Sequence, residues 1–187
     1  MIEKELNNTA LIIIDPWKDS PFPELNDDIK KNVNDYVIPI IKCAQDDGVK
    51  VLVFTNNPNT NDYNTEIVDE LQDLVDSRTI ELHYYDEFSN ADEFAEYLIE
   101  RGLETLVYAG YAIEMCVGYR NSGVVQNKLC DYGRNFERYI IPEACLGLVS
   151  EDDKENDNMR EMTVMAYSQA NIADVIYFAD WIETYSE

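Results

Sequence analysis

The sequence predicts an α/β protein in which helices cover both faces of a six-stranded parallel sheet. Short apolar runs, rich in β-branched and aromatic residues, alternate six times with longer amphipathic segments. This alternation is typical of parallel strands that are joined by helical, right-handed crossovers. We therefore predict a three-layer, doubly wound sheet of strand order 3-2-1-4-5-6, formed by a single domain over residues 1–187.

Each element follows from the periodicity of its apolar residues. Strands are predicted at residues 9–15, 49–55, 79–85, 104–110, 136–142 and 173–179. Helices are predicted at residues 27–48, 65–77, 90–102, 114–128 and 158–170, with a short helix after the last strand. Pro39 should kink or split the first helix, and Asn90 should cap the third.

The composition excludes several classes of protein. The 14 basic and 38 acidic side chains give a formal charge of −24, which would repel nucleic acid and disfavour a strongly anionic substrate. No apolar run approaches the roughly 20 residues that span a membrane, and the N-terminus lacks a signal-peptide pattern. The four cysteines form no C-x-x-C pair, so we expect a reduced, cytoplasmic protein.

Two side chains at predicted strand ends are the candidate catalytic groups. In a doubly wound sheet ligands bind at the carboxyl ends of the strands, where Asp15 and Cys116 follow the first and fourth strands. These strands are neighbours in the predicted order, so the two side chains can meet. The start of a helix should lower the pKa of a thiol, and a nearby carboxylate can take its proton. A structural alternative is that Asp15 caps backbone N–H groups and Cys116 fills the core.

The segments "ALIIIDPWKD" and "YAGYAIEMCVGY" resemble the isochorismatase-like cysteine hydrolase family. In that family the first strand ends in an Asp, and a Gly-x-Ala-x-x-x-Cys-Val element carries the nucleophile. Here that element is Gly110, Ala112, Cys116 and Val117, and the resemblance extends over nearly the whole chain.

The resemblance also implies an oxyanion hole next to the cysteine. In the family a cis peptide bond shapes this hole, and here that bond would involve Tyr111, Ala112 or Ile113. Backbone N–H groups of Met115 or Cys116 would hold the oxyanion. Trp17 and Tyr111 are candidates to line the substrate pocket, or to pack against another part of the protein.

The sequence departs from the family at the third member of its Asp-Lys-Cys triad. The family lysine precedes a Phe by about six residues, and "LHYYDEF" places Leu82 at that position. His83, the only histidine, replaces the lysine if the strand contains a bulge or a shift of register. Lys18 could reach back from the loop after Asp15, although an exposed loop lysine is the simpler interpretation.

Three functions remain open on these residues. The first is a hydrolase that cleaves the C–N bond of a small amide-type molecule through a thioester on Cys116, with Asp15 as the base. The second is a catalytically silent relative that binds or interacts, because the triad lysine is missing. The third is an ether-cleaving isochorismatase, but nothing basic marks a site for its dianionic substrate.

The expected partners are a small-molecule substrate and other copies of the chain, with self-association implied by the resemblance alone. One histidine cannot form the Asp-and-two-His metal site of the nicotinamidases, so no metal is expected. No glycine-rich nucleotide motif is present, so no cofactor is expected either.

Overall fold

The sheet has the predicted class and strand order. The computed structural model describes residues 8–59, 66–148 and 154–185. Its parallel strands pair in the order β3-β2-β1-β4-β5-β6, which confirms the doubly wound topology. The strands are β1 (Thr9–Ile14), β2 (Lys50–Thr55), β3 (Glu81–Tyr84), β4 (Thr105–Tyr111), β5 (Glu137–Leu146) and β6 (Asp174–Val175).

Helices pack on both faces of this sheet. They are α1 (Asn26–Asn32), α2 (Ile38–Asp46), α3 (Asp69–Asp76), α4 (Ala91–Glu100), α5 (Cys116–Tyr119), α6 (Val124–Leu129), α7 (Lys154–Gln169) and α8 (Phe178–Tyr185). Successive strand residues point to opposite faces, so Leu11 and Ile13 face the core under α1, α2 and α8. Ile12 and Ile14 face the second core, under α4, α6 and α7. Burial of these apolar side chains is the main force that holds the layers together.

Pro39 splits the first predicted helix, as expected. Its ring nitrogen has no hydrogen to donate to the preceding turn, so that turn widens into a π-helical segment, Val33–Val37, between α1 and α2. The predicted Asn90 cap is also present, because its side chain accepts a hydrogen bond from the Glu93 N–H.

Two predicted elements are wrong in extent. Residues 114–128 do not form one helix: α5 ends at Tyr119, Arg120 is extended with ψ 160°, and α6 begins at Val124. The polar residues 121–123 favour a turn over a continued helix. The last predicted strand, 173–179, shrinks to Asp174–Val175, because the chain turns into α8 at Phe178.

Within the described ranges, none of the helices is both long and apolar enough to cross a bilayer.

The topology brings the ends of β1 and β4 together at the centre of the sheet. Ile14 pairs with Gly110, so Asp15 and the loop before Cys116 leave the sheet side by side. Gly110 has φ +122°, and a Cβ atom at this position would overlap the backbone of Ile14. Only glycine combines this conformation with so close an approach of two strands.

A Gly110→Ala substitution should lower the free energy of unfolding by about 3 kcal/mol or more, because the added methyl group meets paired backbone that cannot move away. Gly102→Ala is the matched control, since Gly102 also has a positive φ, +68°, but open space around it. That control should cost only about 1 kcal/mol. Urea denaturation measures both values, and equal losses would contradict the steric explanation.

Candidate active site

Asp15 is held in a fully buried position at the end of β1. Its side chain is 0% exposed, and its φ of +48° turns the chain sharply out of the strand. The Asp15 N–H donates to the Phe54 carbonyl at 2.9 Å, which fixes this turn against β2. Both carboxylate oxygens are buried, and neither has a partner in strict hydrogen-bond geometry among the described residues. Such a carboxylate is costly to ionise unless charges or donors lie close by.

Cys116 is the first residue of α5, and its thiol lies close enough to this carboxylate for each group to affect the pKa of the other. The Tyr111–Ala112 peptide bond before it is cis, within the segment where the resemblance places one. The Met115 and Val117 N–H groups both donate to the Ala112 carbonyl, at 3.0 and 3.1 Å, and so anchor the start of α5. The thiol is half-buried and lines a cavity of about 340 Å³ together with Met115, Tyr119 and Arg120. A small molecule can therefore reach the sulfur.

Burial and the neighbouring charges shift the pKa values of both groups. Burial raises the pKa of Asp15 to about 7, although Arg120, the Cys116 thiol and the Tyr85 hydroxyl each lower it. Burial and the charge of Asp15 raise the pKa of Cys116 to about 12, against the lowering effects of Arg120 and of the Ala112 N–H. The two groups titrate as a pair, in which the first proton is lost near neutral pH.

The raised pKa of Cys116 corrects the expectation that the helix start would acidify the thiol. The helix α5 has only four residues, and its weak dipole does not offset the loss of solvent around the sulfur. The resting residue is thus a thiol, and it needs a base to become a nucleophile. With a pKa near neutrality, the neighbouring Asp15 carboxylate can accept a proton at that pH.

Arg120 supplies the positive charge that the sequence seemed to lack. Its Nη2 lies 3.9 Å from Asp15 Oδ2, and the same nitrogen is 3.5 Å from Asn56 Oδ1. The Arg120 side chain is 36% exposed, whereas Asp15 is fully buried, so the guanidinium lies between the carboxylate and solvent. An arginine stays protonated at any pH of interest. A permanent cation therefore lies beside the Asp15–Cys116 pair.

The break between α5 and α6 determines where Arg120 lies. Its N–H still donates to the Cys116 carbonyl at 3.2 Å, and its carbonyl accepts from the Gly123 N–H at 2.7 Å in a tight turn. The sequence contained a signal for this residue. Arg120 follows Cys116 by one helical turn and is the only basic residue between Arg101 and Lys128.

The ring of Tyr85 packs against the Arg120 guanidinium. Tyr85 begins the 3₁₀ turn Tyr85–Glu87 directly after β3. The Arg120 guanidinium carbon lies 4.3 Å from the centre of the Tyr85 ring, in a cation–π contact. The Tyr85 hydroxyl is buried, and no described residue partners it in strict hydrogen-bond geometry.

The two candidate replacements for the lysine are engaged elsewhere. The His83 Nδ1 lies 2.7 Å from Glu87 Oε2, its Nε2 lies 3.0 Å from the Tyr97 hydroxyl, and its ring stacks on Phe54. Lys18 Nζ forms an ion pair with Asp69 Oδ1 at 2.8 Å. Leu82, at the family's lysine position, packs against the core under α1 and α2.

The two predicted lining residues, Trp17 and Tyr111, contact each other and are not among the residues that line the cavity at Cys116. The Trp17 indole N–H donates to Thr55 Oγ1 at 3.0 Å, and its ring meets Tyr111 edge-on with centroids 5.9 Å apart. The Tyr111 hydroxyl is buried, and burial, followed by the charges of Cys116, Glu114 and Asp15, raises its pKa.

The remaining predicted residues have backbone roles. The Ala112 and Ile113 side chains are buried, and the Ile113 N–H donates to the Leu146 carbonyl at 2.9 Å. The Met115 side chain is exposed, and its N–H is already bonded to Ala112, so it is not available for an oxyanion. No described group of three or more His, Cys, Asp and Glu side chains is arranged to hold a metal ion.

A doubly wound sheet with an acid after β1 and a cysteine after β4 is the arrangement expected of the isochorismatase-like α/β hydrolases. The sequence profile of the isochorismatase domain matches residues 9–174. The chain therefore belongs to the isochorismatase family, which confirms the resemblance seen in its sequence.

Solved structures with the same fold agree with this assignment. A cysteine hydrolase from Pseudomonas syringae pv. phaseolicola superposes with a TM-score of 0.70 at 16% identity, over 98% of this chain and 94% of that one. The Escherichia coli YcaC gene product, described as an octameric hydrolase of unknown specificity, gives a TM-score of 0.66 at 17% identity, over 97% and 81%. A nicotinamidase from Staphylococcus aureus gives a TM-score of 0.56 at 16% identity, over 90% of this chain and 96% of that one. At these identities the similarity shows the fold alone, and a search among curated proteins gave no significant match.

An Asp15→Asn substitution should stabilise the protein more at pH 8 than at pH 5. An unfolded Asp has a pKa of about 3.9, whereas that of native Asp15 is about 7, so the native state holds its proton more tightly. The stability that this raised pKa contributes is fully present below pH ~4, the unfolded pKa, and is lost as the pH rises through ~7, the native pKa. The gain on substitution should therefore be about 2.5 kcal/mol larger at pH 8.

Chemical denaturation of both variants at the two pH values measures this difference. Asp73→Asn is the control, because Asp73 is exposed on α3 and its substitution should have nearly the same effect at both pH values. A gain from Asp15→Asn that does not depend on pH would contradict the raised pKa.

Proposed function

We propose that this protein is a cysteine hydrolase that cleaves the C–N bond of a small amide or a similar compound. The observation that carries this proposal is the meeting of three groups at the carboxyl ends of the central strands: the Asp15 carboxylate, the Cys116 thiol and the Arg120 guanidinium. Membership of the isochorismatase family supports hydrolysis in general. The choice of a C–N bond rests on the nucleophile and base in the site.

In the first step Asp15 takes the proton of the thiol while Cys116 Sγ attacks the carbonyl carbon of the substrate. A C–S bond forms, and the carbonyl π electrons move to the oxygen. The Arg120 charge stabilises the negative charge as it passes from the carboxylate to the sulfur and the substrate. The Cys116 N–H, which takes part in no hydrogen bond among the described residues, and the Ala112 N–H near the sulfur are the donors available to the oxyanion.

In the second step the tetrahedral intermediate collapses. The C–N bond breaks, and protonated Asp15 gives its proton to the leaving nitrogen, which departs as an amine or ammonia. The acyl group remains on Cys116 as a thioester. Water then attacks this thioester with Asp15 again as the base, so that a carboxylic acid is released and the thiol is restored.

The main reason to consider a catalytically silent protein was the missing lysine. The Arg120 guanidinium, 3.9 Å from Asp15, supports the proposal that an arginine takes the place of that lysine, and it weakens the argument for a silent protein. The open cavity at Cys116 also favours a site that receives a ligand.

The size and charge of the site favour a small, uncharged substrate. A cavity of about 340 Å³ suits a molecule of few atoms. Its one guanidinium is shared with Asp15, so little positive charge is left for the two carboxylates of an isochorismate-like dianion.

We also infer that the chain associates with copies of itself, which is supported by the octameric state described for the Escherichia coli YcaC gene product. A cytoplasmic location stays a prediction.

Variants of Arg120 test the proposal. With a panel of small uncharged primary amides as probes and released ammonia as the readout, Arg120→Met should lower kcat/KM about 100-fold, because the charge that stabilises the transition state is lost. Arg120→Lys should keep most of the activity. The matched control is Arg101→Met, because Arg101 lies over the Tyr97 ring in a similar cation–π contact away from the site.

Intact-protein mass spectrometry of quenched reactions should show an acyl adduct on Cys116, and Cys116→Ala should show none. Turnover of an amide by Cys116→Ala would exclude the thioester mechanism. An Arg120→Met variant as active as Arg101→Met would exclude the role given to Arg120.

A further inference from the structure

Tyr85 contacts the candidate site through two different parts of its side chain. The face of its ring supports the Arg120 guanidinium, whose central carbon lies 4.3 Å from the ring centre. Its hydroxyl is buried and lowers the pKa of the Asp15 carboxyl group. No step of the hydrolysis described above uses Tyr85.

The hydroxyl is a donor and the carboxylate an acceptor, and neither makes another well-formed hydrogen bond among the described residues. The Tyr85 hydroxyl and both Asp15 oxygens are inaccessible to solvent, and none of the three makes a hydrogen bond in strict geometry. A buried donor and a buried acceptor are each costly when unpaired. The hydroxyl donates best to an ionised acceptor, so this contact gains strength when Asp15 loses its proton.

We propose that Tyr85 is a positioning residue whose ring holds Arg120 over the Asp15–Cys116 pair and whose hydroxyl donates to the ionised Asp15 carboxylate. Tyr85 and Arg120 together then replace the single lysine of the family. They come from two different elements, the turn after β3 and the end of α5. The role in catalysis depends on the hydrolase proposed above, whereas the effect on the Asp15–Cys116 pair does not.

The titratable groups around this pair are few. Arg120, Cys116 and Tyr85 act on Asp15. Tyr111, on β4, is affected by both members of the pair, and Glu114 acts on Tyr111 from the loop before α5. The Tyr85 hydroxyl is buried close to Asp15, Cys116 and Arg120, and this burial raises its own pKa well above the ordinary value. It therefore remains a neutral donor while Asp15 titrates.

The rate at which iodoacetamide alkylates Cys116, followed against pH, measures the ionisation of the Asp15–Cys116 pair without any substrate. The sulfur displaces iodide from the reagent, a C–S bond forms, and the thiol proton passes to Asp15. The rate should therefore rise with pH as the pair loses its first proton, with a midpoint near 7 in the unaltered protein. Peptide mass spectrometry separates Cys116 from the other three cysteines.

Tyr85→Phe keeps the ring and removes the donor, so the midpoint should rise by about one pH unit. Tyr85→Leu also removes the support of Arg120 and should raise the midpoint further. Tyr108→Phe is the matched control, because Tyr108 also has a buried, unpartnered hydroxyl, but its charged neighbours are Arg138 and Cys130. That control should leave the midpoint unchanged.

Unchanged midpoints in both Tyr85 variants would overturn the proposal, and so would an equal shift in Tyr108→Phe. A shift in Tyr85→Leu but not in Tyr85→Phe would overturn the role of the hydroxyl. The protein could hydrolyse no amide while the alkylation midpoints of the Tyr85 variants shift as expected. That result would refute the proposed hydrolase activity and would still support the positioning role of Tyr85.

Discussion

The burial of one carboxylate determines the organisation of this site. Asp15 follows a strand whose residues are all buried, and the sharp turn after Ile14 keeps its side chain out of solvent. A buried carboxylate is stable only if it is protonated or if nearby charges and donors compensate it. Tyr85 comes from the turn after β3, whereas Cys116 and Arg120 begin and end α5, and each of the three lowers the pKa of Asp15. Together these three groups offset part of the cost of ionising the buried Asp15 carboxylate.

Burial also sets the protonation states of Asp15 and Cys116, because it raises the pKa of each group to a different value. A carboxyl group with a pKa near 7 can accept and return a proton at physiological pH, which a surface aspartate does poorly. The thiol beside it stays protonated at rest, because burial and Asp15 both disfavour the thiolate. In the mechanism we propose, the thiolate forms only when Asp15 takes the thiol proton, and the permanent charge of Arg120 makes that transfer less costly.

Much of this arrangement could be predicted from the sequence. The alternation of strands and helices predicted the strand order, and the order placed Asp15 and Cys116 at the ends of adjacent strands. The sequence did not indicate a cation beside Asp15 in the same way, because the family's lysine position lies on the third strand, where Leu82 and His83 stand. The position of Arg120 near Asp15 depends on the end of α5 after a single turn, which the apolar pattern of residues 114–128 did not show. Pro39 was easier to interpret because its missing N–H acts locally.

The central claim is that a cation beside a buried Asp15 brings its ionisation close to neutral pH. It is tested most directly by a carbon-13 NMR titration of aspartate-labelled protein, with the Asp15 signal assigned by its loss in Asp15→Asn. The account predicts a midpoint near 7 in the unaltered protein and a higher midpoint in Arg120→Met. A midpoint near 4, the ordinary value for an exposed aspartate, or one that Arg120→Met leaves unchanged, would contradict it.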